Sequence, residues 1–293
     1  MAKLHRAGAA ALIGAFIWGA ATGSGAAQGS VQQATLGEKN QKTAEVSTEE
    51  VRRVLTDGSA TAQGRVHQAT LGEKNQKTAE VSTEEVRRVL ADGSAILLDS
   101  RPRAQYAAGH IAGARNVAPP ANAPASDYVT AVENLVQGDK RKALILYCNG
   151  QYCQASRTLG DQLVAAGFTN VRRYQLGLPM WRTLNGLVEI ELEGILRIYK
   201  NDQTAAFLDA RPAAHFTKLS LPGTYNVPAD GLANGGLRNA PMPNNDFNTR
   251  VVLFGRDLAQ ARTLAEAIAK TPYQNVAYFP GTFEQLVAAL KLQ

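Results

Sequence analysis

The sequence predicts an α/β fold of two domains, each a mostly parallel sheet with helices on both faces. From residue 80 onward, helical patterns alternate with short apolar runs. Strands that are separated by helices pair in parallel, because each crossover returns the chain to the same end of the sheet. The length of 293 residues agrees with two domains of about 150 residues each.

The composition is that of an ordinary globular protein. Hydrophobic residues make up 45% of the chain and charged residues 19%, which permits a substantial core. Two cysteines are too few for a disulfide-dense scaffold. The net charge of +6 is mild, and no basic stripe with interleaved aromatic residues is present. We therefore expect no nucleic-acid partner.

The first 27 residues have the pattern of a secretory signal peptide. Lys3 and Arg6 precede an apolar run, Ala7 to Gly23, and the small residues Gly25 to Ala27 follow it, as at a signal-peptidase site. A membrane anchor is the alternative, but glycines interrupt the run and it is short for a span of about 20 residues. We expect residues 1–27 to be removed, no stable membrane insertion afterwards, and a periplasmic or secreted bacterial protein.

A segment of sequence is repeated directly after this leader. Val31 to Ala60 recurs as Val66 to Ala95 with two differences. Two copies are too few for a solenoid, and only the second copy continues into an apolar run, Ile96 to Leu98. A helix without packing partners is marginal in water. We expect residues 28–65 to be flexible or loosely docked, and the first domain to begin at residue 66.

Cys148 stands out among the residues that follow the predicted strands. The predicted strands of the first domain are Ile96–Asp99, Ala143–Tyr147 and Asn170–Tyr174, and the predicted helices are Glu84–Leu90, Tyr128–Gln137 and Gln154–Ala166. Ligands of parallel sheets bind at the carboxyl ends of the strands. Cys148 lies at such an end, before a short loop and a helix start.

Two interpretations of Cys148 follow from that position. Loop amides and the positive end of a helix dipole stabilise an anion, so the position favours a nucleophilic thiolate. Gly150 would give the backbone the freedom for a tight anion cradle. The alternative is that Cys148 serves only as a small buried hydrophobic residue, a common fate of free cysteines.

The motifs around Cys148 resemble those of the rhodanese family of sulfurtransferases. The motifs are Leu98–Arg101 with Tyr106–Val117, Tyr147–Gly150, and Gly177–Trp181 with Asn185–Val188. They occur in order and at domain-like spacing over residues 80 to about 191. The resemblance implies that residues 66–191 form an active rhodanese-like domain.

The resemblance also assigns roles to single residues. It makes Cys148 the residue that carries the sulfane sulfur, and Asp99 and Arg101 supports of the loop. The substrate-binding loop would consist of Asn149, Gly150, Gln151, Tyr152 and Cys153. The implied reaction needs no metal and no organic cofactor. A thiolate attacks the outer sulfur of a thiosulfate-like donor, and a thiophilic acceptor, cyanide or a thiol, then removes that sulfur.

The loop after Cys148 lacks a basic residue that is common in the rhodanese family. A basic residue often lies within or just after the family's loop, whereas this chain has Cys153 and Gln154 there. Arg157 on the following helix could act instead, or could be a solvated helix residue. Phosphatase relatives need an arginine at the place of Gln154 to hold phosphate, which argues against a phosphatase. Cys153 either lines the loop or resolves a modified Cys148 into a disulfide.

The last hundred residues resemble a second copy of the same plan. Leu208–Pro212 aligns with Leu98–Pro102 at a displacement of 110, and Val251–Phe254 aligns with the strand before the active loop. Gly255 then stands where the nucleophile would be. We expect residues 192–293 to form an inactive rhodanese-like domain.

Two functions remain open from the sequence. The first is a sulfurtransferase with one site, at Cys148. The second is a non-catalytic binding or redox-sensing module in which Cys148 and Cys153 cycle between dithiol and disulfide. The spacing of the two thiols permits a disulfide without requiring one, because the Cα atoms must lie about 4.4 to 6.8 Å apart.

Overall fold

The computed structural model describes residues 76–117, 124–234, 237, 242 and 246–291. The predicted signal peptide (1–27) and the predicted leader (28–65) lie outside the described residues. No helix in the described ranges is long and apolar enough to span a membrane.

Helices and strands alternate along the described chain. In order they are β1 (Ala79–Glu80), α1 (Thr83–Asp92), β2 (Ile96–Asp99), α2 (Arg103–Ala107), β3 (His110–Ile111), β4 (Arg115–Asn116), α3 (Ala125–Leu135), β5 (Leu144–Tyr147), α4 (Gln154–Ala165), β6 (Val171–Tyr174), α5 (Gly177–Thr183), β7 (Val188–Glu189), α6 (Leu192–Asn201), β8 (Ala206–Asp209), α7 (Ala213–Lys218), β9 (Thr224–Asn226), a 3-10 helix (Ala229–Asn234), β10 (Val251–Phe254), α8 (Leu258–Ile268), β11 (Val276–Tyr278) and α9 (Phe283–Leu290).

The first sheet is entirely parallel. Its strand order is β1-β6-β5-β2-β4, and β5 lies at the centre. Leu144 of β5 pairs with Ile96 of β2 on one side and with Val171 of β6 on the other. All four residues of β5 are buried because helices cover both faces of the sheet. A strand that is buried on both faces is typically a continuous apolar run.

The second sheet repeats this order. Five of its strands are parallel, in the order β7-β11-β10-β8-β9. This order corresponds, strand by strand, to the order β1-β6-β5-β2-β4 of the first sheet. One further strand, β3, joins the sheet at the β7 edge and runs antiparallel, with His110 opposite Glu189. The predicted α/β fold class is confirmed, and β3 is the exception to the parallel pairing.

The division of the chain at residues 191 and 192 stays a prediction. Two short strands that precede residue 192 belong to the second sheet, β3 and β7. One hydrophobic cluster also contains residues of both sheets, including Ile145 of β5 and Val252 of β10. The two sheets therefore share buried surface, and the segment before residue 192 contributes two strands to the second sheet.

The predicted elements of the first half lie close to the observed ones. The strands begin at or within one residue of the expected positions. Helix α1 begins after Ser82, whose hydroxyl accepts a hydrogen bond from the Glu85 amide at 3.1 Å, an ordinary N-cap. Helix α3 starts at Ala125, three residues before the predicted start. Pro124 precedes it, and proline is well tolerated at a helix start because no amide hydrogen is required there.

A close helix approach links the two halves. At Gly194 in α6, a Cβ atom would lie 1.9 Å from the carbonyl oxygen of Ala107, the last residue of α2. The same oxygen accepts a hydrogen bond from the Glu191 amide at 2.9 Å. Both partners in this approach are backbone, so neither can move aside as a flexible side chain would.

We expect Gly194→Ala to lower the free energy of unfolding by about 1 to 3 kcal/mol or more. Alanine is the better helix former by about 1 kcal/mol, so a loss isolates the clash with Ala107. Urea denaturation measures the change. The control is Gly231→Ala, where nothing lies within 4 Å of the added atom, and it should change stability by less than about 0.5 kcal/mol. Equal effects would contradict the packing argument.

Candidate active site

Cys148 directly follows β5, the central strand of the first sheet, and is 2% exposed. The five residues from Asn149 to Cys153 connect it to α4, which starts at Gln154. Cys153 is the N-cap residue of α4 and is half-buried. The structure thus places the predicted nucleophile at the carboxyl end of a buried strand and before the N-terminus of a twelve-residue helix.

The two cysteines form a disulfide. The Cα atoms of Cys148 and Cys153 are 6.0 Å apart, inside the usual range of about 4.4 to 6.8 Å. The Cys153 amide donates a hydrogen bond to the Gly150 carbonyl at 3.0 Å, and Gly150 has a φ of 101°. This turn brings the thiols together, and a side chain at Gly150 would resist it.

The loop offers free backbone donors. None of the backbone amides of residues 149–152 donates a hydrogen bond to another residue in the described part of the chain. Gln151 and Tyr152 are exposed, and Tyr152 is 89% accessible to solvent. Successive unpaired amides and a helix N-terminus attract anions. The arrangement therefore favours a thiolate at Cys148, or another sulfur anion bound in the loop.

A buried ion pair lies beneath the loop. Asp99 is 0% exposed and Arg101 4% exposed, and the Arg101 Nε donates to both carboxylate oxygens of Asp99, at 2.9 and 3.0 Å. Burial opposes the charge of Arg101, but the hydrogen bonds and the negative charge of Asp99 outweigh it and raise the pKa of Arg101. Arg101 is therefore a fixed cation whose charge is already balanced.

Arg101 also reaches the loop itself. Its Nη1 lies 3.4 Å from the Oδ1 of Asn149, and its Nη2 donates to the Gly109 carbonyl at 2.7 Å. The side-chain amide of Asn149 donates to the side-chain oxygen of Gln105 at 2.8 Å. Arg101 thus contacts the residue next to Cys148, and Asp99 holds Arg101. The supporting role that the family resemblance implies for Asp99 and Arg101 stays a prediction.

The first residues of α5 pack closely against the loop after β5. The Leu178 amide donates to the Cys148 carbonyl at 3.1 Å. At Gly177, whose φ is 62°, a Cβ atom would lie 2.3 Å from that carbonyl oxygen and 2.5 Å from the Gly150 nitrogen. Only glycine allows this approach, so the Gly177–Trp181 motif of the sequence lets α5 pack closely against the loop after β5.

Arg182 is a charged residue near the site that sequence reasoning missed. Burial and the neighbouring guanidinium of Arg101 lower the pKa of Arg182 to about 10. Its Nε is buried without a hydrogen-bond partner, and a Cβ atom on Gly109 would lie 2.9 Å from its Nη2. In sequence Arg182 reads as an ordinary helix residue after Trp181, and no signal distinguishes it. In the structure it adds positive charge beside Arg101.

Arg157 lies on the first turn of α4 and is half-buried. It follows the half-buried Cys153 by four residues, about one helical turn. Its assignment as a substitute for the family's loop cation stays a prediction.

The second sheet carries the same ion pair without the thiols. Arg211 Nε donates to both oxygens of the buried Asp209 at 3.0 Å, and Arg211 Nη2 donates to the Leu219 carbonyl at 2.7 Å. Gly255 follows β10 where Cys148 follows β5. The Gln260 side chain accepts a hydrogen bond from the Arg256 amide at 2.9 Å. Both cysteines of the chain lie in the loop after β5, so thiol chemistry is confined to the first sheet.

A separate cavity of about 430 Å³ lies between α1, α5 and α8. Its walls include Arg87, Trp181, Glu189 and Arg262, and no residue of the loop from Cys148 to Cys153 lines it. Arg87 pairs with Glu84, and Arg262 pairs with Glu266. The cavity is distinct from the thiol site.

Residues 82–184 match the family model described as "Rhodanese-like domain". This segment contains Cys148, Cys153 and the ion pair below them, and it is about a third of the chain. No curated protein sequence gives a significant match.

Several solved structures are similar to this chain. A thiosulfate sulfurtransferase from Pseudomonas aeruginosa is 23% identical with a TM-score of 0.34; the match covers 73% of this chain and 45% of that one. A 3-mercaptopyruvate sulfotransferase from Escherichia coli is 18% identical with a TM-score of 0.32, covering 71% of this chain and 99% of that one. The rhodanese-like domain of an Anabaena protein is 28% identical with a TM-score of 0.31, covering 38% and 77%.

We expect Gly177→Ala to destabilise the protein more than Gly93→Ala does. Both glycines have left-handed backbones, with φ of 62° and 68°, but nothing lies within 4 Å of a Cβ atom on Gly93. In each variant the left-handed conformation costs about 1 to 2 kcal/mol of stability, and only the alanine at position 177 also clashes with the loop that begins at Cys148. Urea denaturation with the disulfide intact gives the difference. Equal losses would mean that α5 does not seat the loop.

Proposed function

We propose that this protein is a sulfurtransferase that moves sulfane sulfur from a thiosulfate-like donor to a thiophilic acceptor through a persulfide on Cys148. The observation that carries the proposal is the placement of Cys148 in a loop with four unpaired amides, at the start of α4 and within a segment that matches the rhodanese-like domain model. Thiosulfate is the donor in the name of one similar structure, and it is the donor we propose to test.

The reaction has two displacement steps. The Cys148 thiolate attacks the outer sulfur of thiosulfate, the sulfur–sulfur bond of the donor breaks, and sulfite leaves with the electron pair. The unpaired loop amides would stabilise the negative charge of the persulfide. Cyanide or a thiolate then attacks the outer sulfur, and the Cys148 thiolate returns. The step sequence needs no electron acceptor.

The supporting residues act through the loop. Arg101 holds Asn149 and is neutralised by Asp99, so it positions the loop without adding net charge. Arg182 lies beside Arg101 without a salt bridge to a described residue, and it makes the surroundings net positive, which favours both an anionic donor and a thiolate. The loop residues Asn149 to Cys153 are proposed as the substrate-binding segment.

The disulfide sets a condition for this activity. Cys148 cannot act as a nucleophile while it is bonded to Cys153, so a thiol reductant must open the pair first. Export to an oxidising compartment, which we propose from residues 1–27, would favour the closed form. Residues 192–293 are proposed as an inactive module, since their loop has no thiol that could form a persulfide.

The disulfide also favours a second candidate function, a redox-sensing or binding module with no sulfur turnover. In that case both thiols are equally necessary, because the closed and open states of the pair are the output. In a sulfurtransferase only Cys148 is indispensable. The two functions therefore differ in what they predict for the two cysteine variants.

With a thiol reductant present, we expect Cys148→Ser to lower thiosulfate:cyanide activity more than about 10³-fold, because the nucleophile is lost. Cys153→Ser should keep at least about a tenth of the parent activity, because the loop amides and the nucleophile remain. Thiocyanate formation measures both, and thermal unfolding confirms that each variant is folded. Equal loss in the two variants would mean that Cys153 is as necessary as Cys148, contrary to the proposed mechanism. Absence of activity with any sulfane donor would reject the sulfurtransferase.

A further inference from the structure

We propose that Cys153 resolves the Cys148 persulfide, so that the protein releases the transferred sulfur as hydrosulfide and consumes a dithiol as the electron donor. This inference rests on the proposed persulfide chemistry and adds an activity to it, the reduction of a sulfane donor to sulfide. It assigns a chemical role to Cys153 and identifies the class of the second substrate.

The backbone already holds the two sulfur atoms together. The disulfide joins Cys148 and Cys153 across a separation of five residues, and the hydrogen bond from the Cys153 amide to the Gly150 carbonyl closes the turn between them. Cys153 is the N-cap of α4, but its side chain makes no capping hydrogen bond. Its sulfur is therefore not occupied in stabilising the helix, and it lies next to the sulfur that would carry the persulfide.

The resolving step balances in atoms and electrons. The Cys153 thiolate attacks the inner sulfur, Cys148 Sγ, and a bond forms between the two Sγ atoms. The bond between Cys148 Sγ and the outer sulfur breaks, and the outer sulfur leaves with the electron pair as hydrosulfide, which keeps the persulfide proton or takes one from water. The two cysteines are oxidised to the disulfide, and the sulfane sulfur is reduced to sulfide.

Proximity decides between this step and transfer to an external acceptor. Well-oriented groups within one molecule reach effective concentrations of about 10⁵ M and above, far beyond a millimolar cyanide or thiol. Even a poorly ionised Cys153 would compete well under those conditions. We expect most persulfides in the parent protein to end as sulfide and disulfide when both cysteines begin reduced.

Burial decides how the disulfide is reopened. Cys148 is 2% exposed, whereas Cys153 is half-buried on a loop whose neighbour Tyr152 is 89% exposed. An incoming thiolate therefore attacks Cys153 Sγ, and Cys148 leaves as a thiolate among the unpaired loop amides, which lowers the barrier because a stabilised thiolate is the better leaving group. The second thiol of the reductant then displaces the first from Cys153.

The surface around Cys153 is compatible with a dithiol of any size. The segment from Asn149 to Ser156 has no charged side chain, and Tyr152 offers an exposed aromatic surface. Neither a charged small thiol nor a charged protein would be repelled. Dithiothreitol is a sufficient probe of the class, because the chemistry needs only two thiols in one molecule.

The test is a single turnover without any external thiol. The full chain is reduced with dithiothreitol, desalted, and mixed with thiosulfate; sulfite, sulfide and intact mass are then measured. We expect the parent protein to release one sulfite and one sulfide, and to end about 2 Da lighter than its dithiol form. Cys153→Ser and Cys153→Ala should release sulfite alone and gain about 32 Da as a stable persulfide.

The rate provides a second readout. Sulfide release should be at least about 10²-fold faster in the parent protein than in either Cys153 variant. Addition of dithiothreitol should turn the single turnover into continuous sulfide production. Thermal unfolding of the reduced proteins shows whether the variants are folded, and the +32 Da adduct on a Cys153 variant is itself evidence of an intact site.

The outcomes separate this inference from the proposed function. Sulfite release with a lasting persulfide and no sulfide in the parent protein would overturn the role of Cys153 and leave the sulfurtransferase intact. Release of neither sulfite nor sulfide by the reduced parent protein and its Cys153 variants would overturn both proposals.

Discussion

The buried ion pair between Asp99 and Arg101 is the interaction on which the site depends. A guanidinium removed from water must satisfy its donors, and Arg101 does so with the Asp99 carboxylate, the Gly109 carbonyl and Asn149. Removing one partner of such a pair leaves an uncompensated buried charge, which costs about 3 to 5 kcal/mol. The pair therefore fixes three segments at once: the end of β2, the turn before β3, and the loop after β5.

The second sheet shows which parts of this arrangement belong to the fold and which to the site. Arg211 binds Asp209 and the Leu219 carbonyl in the same way that Arg101 binds Asp99 and the Gly109 carbonyl. Its guanidinium then stacks on the ring of Phe283, 3.2 Å from the centroid. Arg101 has Tyr147 near it at 5.8 Å and turns its remaining donor toward Asn149. The carboxylate–arginine pair is common to both sheets, and the contact with the loop is particular to the first.

Sequence patterns identified the strand ends but not the contacts between them. The apolar run before Cys148 predicts a buried strand, and the position of a thiol after it predicts the site, because both depend on local sequence alone. The pairing of His110 with Glu189 in a second, antiparallel edge joins residues far apart in the chain, and nothing near either residue indicates it. The buried environment of Arg182 is missed for the same reason, since Gly109 and Arg101 create it from another part of the chain.

The disulfide was left open by the sequence because two outcomes share one spacing. Cysteines five positions apart can lie close together or far apart. Here the positive φ of Gly150 allows the turn, and the absence of a side chain at Gly177 allows α5 to lie close to the Cys148 carbonyl. In this loop the Cα atoms of the two cysteines lie 6.0 Å apart, which permits the disulfide.

The tight turn after Cys148 brings a second thiol within bonding distance. The short loop places the Cα atom of Cys153 6.0 Å from that of Cys148, and the backbone amides of residues 149–152 donate to no described residue. If the proposed persulfide forms on Cys148, transfer to an external acceptor and disulfide formation with Cys153 are alternative outcomes of this geometry, and the identity of residue 153 decides between them.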